Sequence, residues 1–176
     1  VIYIALKIMT IKKEIWLIDQ QNKNFLNLKD SKKIAKNKSF PEDIFFKSNS
    51  KVYIFLNTLS SFSQLEFSYN LLWVGLKLYN FCEEGDYSIM NIKELNCYEN
   101  LLLGWCLGNY TFEVYKSKRK KKLKKNLSNL TEKIKKRADA IFVVRDLINT
   151  PANFLGPNEL YEKVKNKYLT VFDKNL

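Results

Sequence analysis

The densest cluster of charged residues in the sequence is the basic tract Lys116–Lys125, which reads KSKRKKKLKK. A cluster of cations binds nucleic acid without regard to its sequence, because it releases counterions from the phosphates. The candidate contacts are Lys118, Arg119, Lys120, Lys121, Lys122, Lys124 and Lys125. No aromatic residue lies within the tract, so base stacking is not predicted. The competing interpretation is a solvated loop, which is the usual role of a charge run.

The net charge of +12 comes almost entirely from one segment. Between Lys116 and Arg137 there are twelve Lys or Arg residues and one acid, Glu132, whereas the rest of the chain holds 18 basic and 17 acidic residues. Nucleic-acid binding is therefore predicted for this segment alone and not for the fold as a whole.

The sequence offers little material for a metal or nucleophilic site. The chain contains no His, which excludes His-based zinc sites and Ser-His or Cys-His catalysis within it. The acidic cluster formed by Glu83, Glu84 and Asp86 is predicted to be a surface turn, because a hard cation needs six or more converging oxygens. We therefore predict no catalytic residue and no metal ligand in this chain.

The cysteines and the hydropathy bear on the cellular compartment. Cys82, Cys97 and Cys106 form no C-x-x-C pair and are odd in number, which is typical of reduced thiols in the cytoplasm. Cys106, next to Trp105, is expected to be a core thiol. No signal peptide is visible, and no apolar run reaches the roughly 18–20 residues that span a bilayer. The prediction is a cytoplasmic protein without a membrane partner.

The hydrophobic periodicity predicts alternating strands and helices. The predicted strands are Val1–Met9, Glu14–Asp19, Asp43–Lys47, Lys51–Asn57 and Tyr87–Ile92, and the predicted helices are Leu28–Lys38, Ser61–Cys82, Glu94–Gly108 and Leu130–Asn149. Gly85 and Asp86 indicate a turn, and Gly108 with Asn109 suits a helix end. This alternation predicts an α/β domain with a mixed sheet flanked by helices.

Two of these elements carry finer predictions. The continuous apolar run Lys51–Asn57 is typical of a strand covered on both faces. In Ser61–Cys82 the predicted apolar stripe is formed by Leu65, Tyr69, Leu72, Leu76 and Tyr79. Gly104 and Gly108 are expected to let another element approach their helix closely.

A stiff polar elbow follows the last long helix, in the segment Arg145–Pro157 that reads RDLINTPANFLGP. Thr150 is expected to leave the helix, because Pro151 disfavours the α conformation of the residue before it. Pro157 suits the first turn of a new helix that is capped near Gly156 and runs to about Lys167, with a strand over Tyr168–Phe172. The elbow is thus predicted to be a structural turn.

Two blocks of sequence resemble the leucine (cytosol) aminopeptidase family. Leu101–Ser117, LLLGWCLGNYTFEVYKS, is similar to the family's helix that ends in L-G-x-Y and continues x-F-x-x-Y-K. Ala138–Pro157 is similar to its linker helix and N-T-P-A-N elbow, which joins the N-terminal and catalytic domains. Their order, and the basic loop between them, match as well.

The resemblance implies a macro-domain-like N-terminal domain over residues 1–127, a linker helix over 128–149 and the start of a catalytic domain over 150–176. It implies a hexameric enzyme that removes N-terminal residues from peptides with two divalent metal ions, zinc or manganese, which polarise the carbonyl and generate hydroxide. The family's Lys, Asp and Glu ligands all lie downstream of N-T-P-A-N, and its signature N-T-D-A-E-G-R-L is absent here. This chain alone is therefore expected to bind no metal and to be inactive.

If residues 150–176 begin a further domain, their apolar residues lack their normal cover. These residues are Phe154, Leu155, Leu160, Val164 and Leu169. The alternative function is a stand-alone basic module that binds nucleic acid through Lys116–Lys125. A small-ligand pocket of the macro-domain type is disfavoured, because Gly-rich loops are not visible in the sequence.

Overall fold

The computed structural model describes residues 12–18, 45–56, 64–92, 98–115 and 123–165. In chain order the strands are β1 Lys13–Ile18, β2 Phe45–Ser48, β3 Lys51–Phe55, β4 Gly85–Ile89 and β5 Lys125–Leu127. The helices are α1 Gln64–Phe81, α2 Tyr98–Gly108, α3 Glu132–Asn149 and α4 Pro157–Val164, with a 3₁₀ turn at Ala152–Phe154. The predictions for Val1–Met9, Leu28–Lys38 and Tyr168–Phe172 lie outside the described residues.

The five strands form one mixed sheet in the order β2-β3-β1-β4-β5. Strand β1 runs parallel to β3 and β4, β4 runs parallel to β5, and only β2 is antiparallel to its neighbour β3. A two-residue turn joins β2 to β3, and Asn49 takes a left-handed φ of 52° there, which Asn tolerates. The predicted α/β class and mixed sheet are confirmed.

The central strands are buried on both faces, as the apolar run of β3 predicted. Ile15 and Ile54 belong to the main core, which also includes buried residues of α1 and α2, and Ile134 and Ala138 of α3. Ile18, Tyr53 and Phe55 form a second cluster, to which Trp16 and Phe46 add partly buried rings. Alternate residues of a strand point to opposite faces, so the two clusters lie on opposite sides of the sheet.

Helices α1 and α2 pack with their backbones in close approach. A Cβ atom added at Gly104 would collide with the carbonyl oxygen of Leu72, and one added at Gly75 would collide with that of Leu101. At Gly108 a Cβ atom would lie 2.6 Å from the Tyr79 Cβ. The predicted close approach at Gly104 and Gly108 is confirmed, and the packing role of Gly75 is added by the structure.

The predicted stripe of helix α1 is correct only in part. Tyr79 is buried and Leu72 packs against the main core, but Tyr69 is 68% exposed, and Leu71, Val74 and Leu78 are buried instead. The sequence is apolar around most of α1, so its periodicity did not determine which side meets the sheet. The close contact of Gly75 with α2 sets the orientation instead.

The turn predicted at Gly85 and Asp86 is also wrong, because both residues belong to β4. Gly85 has a φ of 148°, which favours glycine, and its N–H donates to the carbonyl of Lys124 at 3.0 Å. That bond begins the pairing of β4 with β5, a three-residue strand that overlaps the end of the basic tract and was not predicted. Among the described residues, no helix is long and apolar enough to cross a membrane.

Candidate functional site

In the acidic cluster between α1 and β4, Glu83 and Asp86 contact other side chains of the protein. Glu83 pairs with Lys47 at 2.6 Å, and this hydrogen bond holds the pKa of the carboxyl below its usual value. Asp86 accepts a hydrogen bond of 2.7 Å from the Asn126 amide. Across the described ranges, no three His, Cys, Asp or Glu side chains group as metal ligands. These residues therefore do not fit the pair of metal ions that the resemblance implies.

Lys125 is part of the fold and differs in this from its neighbour Lys124. Its Nζ donates to the carbonyl of Tyr79 at 2.7 Å and lies 4.5 Å from the centre of the Tyr79 ring. Partial burial lowers the pKa of this ammonium group. Lys124 is exposed. The candidate contacts Lys118, Arg119, Lys120, Lys121 and Lys122 lie outside the described residues, so nucleic-acid contact by the tract stays a prediction.

Cations and a hydroxyl gather at the carboxyl end of α1. Besides the bond from Lys125, Lys13 donates to the carbonyl of Glu84 at 3.0 Å, and the Tyr87 hydroxyl donates to that of Glu83 at 3.1 Å. Cationic groups at this end of a helix offset its dipole. Cys82 is buried beside them, and desolvation raises the pKa of its thiol to about 11. This cluster is structural, and its thiol stays protonated near neutral pH.

A cavity of about 430 Å³ lies between α2, β5 and α3. Its lining combines aromatic and aliphatic residues with groups of both charges: Trp105, Cys106, Asn109, Lys125, Asn126, Leu127, Leu130, Lys135, Ala138, Asp139 and Phe142. Cys106 is half-buried in this wall and packs against the main core, so its predicted core position is found in part. Burial raises the pKa of its thiol.

The elbow has the local structure that the sequence predicted. Helix α3 ends at Asn149, and the Thr150 hydroxyl donates to the carbonyl of Asp146 at 2.7 Å as the chain turns away. Thr150 has an extended backbone, as expected before Pro151. Gly156 precedes α4 as its N-cap, and Pro157 occupies its first turn.

The two sequence blocks that carry the family resemblance meet in space around Tyr110. The Tyr110 hydroxyl donates to the Asp146 carboxylate at 2.8 Å and accepts from the Asn149 amide at 3.1 Å. The Arg145 guanidinium lies 5.3 Å from the centre of the Tyr110 ring, and the Phe142 ring lies at the same distance. The segment after α2 thus fixes the end of α3. No pattern in the sequence identified Tyr110 as the partner of Arg145 and Asp146.

Beyond this contact the chain exposes apolar side chains. Phe154 stacks on Tyr115 with ring centres 5.4 Å apart and remains 55% exposed. Leu160, Tyr161 and Val164 on α4 are exposed as well. The predicted lack of cover is therefore found at Phe154, Leu160 and Val164, whereas Leu155 is partly buried and Leu169 lies outside the described residues.

Similarity to known proteins is found at the level of three-dimensional structure. No protein-family model and no curated protein matches the sequence. The chain superposes on the cytosol aminopeptidase of Coxiella burnetii with a TM-score of 0.60 and 24% sequence identity, over 88% of this chain and 35% of that one. It superposes on a mutant of tomato leucine aminopeptidase with a TM-score of 0.58 and 17% identity, over 92% of this chain and 40% of that one.

The chain has the fold of the N-terminal region of the leucine aminopeptidases. The bottromycin maturation enzyme BotP shares this fold, with a TM-score of 0.61 and 12% identity over 90% of this chain and 38% of its own, and it was also solved in complex with Mn. The chain spans less than half the length of each of these aminopeptidases and of BotP. The resemblance to the leucine aminopeptidase fold, first seen in two sequence blocks, is confirmed.

Proposed function

We propose that this chain is the N-terminal portion of a metal-dependent leucine aminopeptidase, an enzyme that removes N-terminal amino acids from peptides. The observation that carries the proposal is the shared fold, which extends over 88% to 92% of this chain but only 35% to 40% of the two aminopeptidases. The agreement of the N-T-P-A-N elbow and the L-G-x-Y block with the family pattern supports it from the sequence.

In this proposal the N-terminal portion has a structural role, and peptide hydrolysis is carried out by a further domain that follows the elbow. The contacts around Tyr110 fix the direction in which the chain leaves α3. The exposed apolar residues of α4 would pack against that further domain. Two zinc or manganese ions would be bound there, and the complete enzyme would assemble as a hexamer in the cytoplasm. The chain alone would be inactive.

The direct test is a peptidase assay of the purified chain with leucine p-nitroanilide and added manganese or zinc. Intact tomato leucine aminopeptidase serves as the positive control under the same conditions. We expect no metal-dependent hydrolysis by the chain alone. Hydrolysis that follows the chain through purification and disappears with a chelator would contradict the proposed division of labour.

Nucleic-acid attraction is the second candidate function, and the charge distribution favours it. The basic segment continues from the tract onto the first turns of α3, where Lys133, Lys136 and Arg137 are exposed. Lys133 pairs with Glu99 at 2.9 Å, whereas neither Lys136 nor Arg137 forms an ion pair within the described residues. Binding through such a surface would be independent of base sequence and would weaken steeply with salt.

A salt titration of binding to random duplex DNA tests this second function. The informative variant replaces Lys118, Arg119, Lys120, Lys121, Lys122 and Lys124 by Ser but keeps Lys125, because Lys125 caps α1. A matched pair compares Lys118, Arg119 and Lys120 replaced by Ser with Lys12, Lys51 and Lys77 replaced by Ser, since each variant removes three cations and the second set lies elsewhere in the chain. We expect the six-residue variant to lose binding, and the three tract substitutions to weaken it more than the three control substitutions do. No binding of the unmodified chain at low salt would eliminate this function.

A further inference from the structure

The cavity between α2, β5 and α3 has the size and the mixed lining of a small-molecule site. Its volume of about 430 Å³ lies in the range of ligand pockets. One wall is apolar and is formed by Trp105, Leu127, Leu130, Ala138 and Phe142. A flat or branched apolar group of a ligand would be removed from water against this wall, which is favourable in proportion to the area buried.

Two hydrogen-bond donors in the lining lack an acidic partner. The Lys125 ammonium gives one of its three hydrogens to the Tyr79 carbonyl. Within the described residues, no carboxylate lies at ion-pair distance from it. Asn109 uses its side-chain oxygen to accept from the Tyr79 hydroxyl at 2.7 Å, which leaves its NH₂ group as a donor. A carboxylate is the acceptor that binds most strongly to an ammonium and an amide together.

The same cavity also presents a negative charge. Asp139 is an exposed lining residue that forms no hydrogen bond or ion pair in the described part of the chain. Lys135, a second lining cation, is already paired with Glu132 at 2.7 Å. Both Asp139 and Lys135 lie close enough to Cys106 to act on its pKa, which Asp139 raises and Lys135 lowers. A carboxylate beside the site would repel a simple anion and attract a ligand that also carries a cationic group.

We propose that this cavity binds a free α-amino acid with an apolar side chain. The carboxylate of the ligand is held by Lys125 and Asn109, its ammonium group by Asp139, and its side chain by the partly exposed residues of the apolar wall, Leu130 and Phe142. Each part of the ligand thus meets a lining group of complementary chemistry. The site is separate from the peptidase chemistry proposed above and does not depend on it.

Calorimetric titration of the full chain with three matched compounds tests the proposal. L-Phenylalanine has both charged groups, 3-phenylpropionate lacks the amine and 2-phenylethylamine lacks the carboxylate. We expect L-phenylalanine to bind at least about tenfold more tightly than either analogue, because each loses one charge-assisted contact. Equal binding of L-phenylalanine and 3-phenylpropionate, or no binding of L-phenylalanine at about 10 mM, would overturn the proposal.

Substitutions on the exposed side of the cavity locate the site without threatening the fold. Asp139→Asn should weaken L-phenylalanine binding about tenfold and leave 3-phenylpropionate binding unchanged or tighter. Of these two ligands, only L-phenylalanine has an ammonium group that pairs with the Asp139 carboxylate. Lys135→Met should weaken the binding of both by a smaller factor, because Lys135 lines the cavity and attracts the ligand carboxylate without holding it. Lys136→Met, the neighbouring exposed lysine that does not line the cavity, should weaken neither. Equal effects of these two lysine variants would contradict the proposed location.

Cys106 gives an independent readout, because it lines the cavity and is half-buried. Bound L-phenylalanine should slow its labelling by a thiol reagent, as followed at the peptide level by mass spectrometry. Unchanged labelling of Cys106 under saturating L-phenylalanine would place the ligand elsewhere and overturn the proposal. None of these measurements uses peptidase activity, so their failure would leave the proposed function untouched.

Discussion

The α1–α2 pair contains Gly104 within α2, and the elbow contains Gly156 just before α4, but the two glycines have opposite surroundings. A Cβ atom at Gly104 would collide with a backbone carbonyl of α1, whereas one at Gly156 would meet only the carboxylate end of the flexible Glu159 side chain. The first region is closely packed, and the second is exposed along all of α4. The first region therefore belongs to the main core, whereas the second leaves most of its apolar side chains exposed within the described structure.

The largest expected contrast comes from removing one aromatic ring from each region. Trp105 is 2% exposed and contacts the rings of Tyr79 and Tyr87 at centre distances of 5.3 and 5.7 Å. Trp105→Ala should lower the free energy of unfolding by about 3–5 kcal/mol, because it leaves a cavity in the core. Phe154→Ala should lower it by less than about 1 kcal/mol, since that ring is largely in water. Urea unfolding of both variants measures the contrast, and similar losses would refute it.

A smaller contrast is expected when a single methyl group is added at each glycine. In an exposed helix, Gly→Ala stabilises by about 1 kcal/mol. Gly104→Ala should instead destabilise by about 2–3 kcal/mol, because α1 and α2 must move apart. Gly156→Ala should change the free energy of unfolding by less than about 0.5 kcal/mol. Stabilisation by Gly104→Ala in urea unfolding would show that the two helices are not in close backbone contact.

These variants also show what the sequence could predict. The strand at β3 and the elbow at Thr150 and Pro157 followed from an apolar run and from proline chemistry, which are local signals. The side of α1 that faces the sheet did not follow, because it depends on the contact of Gly75 with a helix that begins at Tyr98. Strand β5 was not predicted, because the cationic residues next to Lys125 are typical of a solvent-exposed loop. The strand forms through pairing with Gly85, which is distant in the sequence.

Among the candidate sites, too, those formed by contiguous residues could be predicted and those formed by distant elements could not. The elbow was identified from sequence because its residues are contiguous. The contacts of Tyr110 with Asp146 and Asn149, and the cavity lined by Asn109, Lys125 and Asp139, join positions from separate elements. The Y of the L-G-x-Y block was the available signal for Tyr110, but the sequence alone did not name its partner.

The pH dependence of stability tests the packed region through Cys82. Desolvation raises the pKa of this thiol from 9.0 to about 11, so between these values the unfolded chain loses a proton that the native chain retains. This contribution is complete below pH 9.0 and is lost as the pH rises towards about 11, by up to about 3 kcal/mol. Tyr87 has a raised pKa and acts with the same sign, whereas the lowered pKa of Lys125 acts with the opposite sign.

The comparison of unmodified chain with Cys82→Ala isolates this thiol from the other titrating groups. The unfolding midpoint in urea should fall more steeply above pH 9.0 for the unmodified chain than for the variant. Parallel curves for the two proteins would mean that Cys82 is not held in a desolvated site, and the core at the end of α1 would then be open to water.

Hydrogen exchange of the isolated chain tests most directly whether the domain ends and an uncovered segment begins at the elbow. The residues of α2 from Leu101 to Trp105 are buried, and their amides should exchange only through global unfolding. Amides of α4 between Leu160 and Val164 should exchange close to the rate of an unfolded chain, because nothing in the described structure covers this short helix. Protection of α4 equal to that of α2 would contradict the account, because the segment beyond the elbow would then be a folded part of this domain.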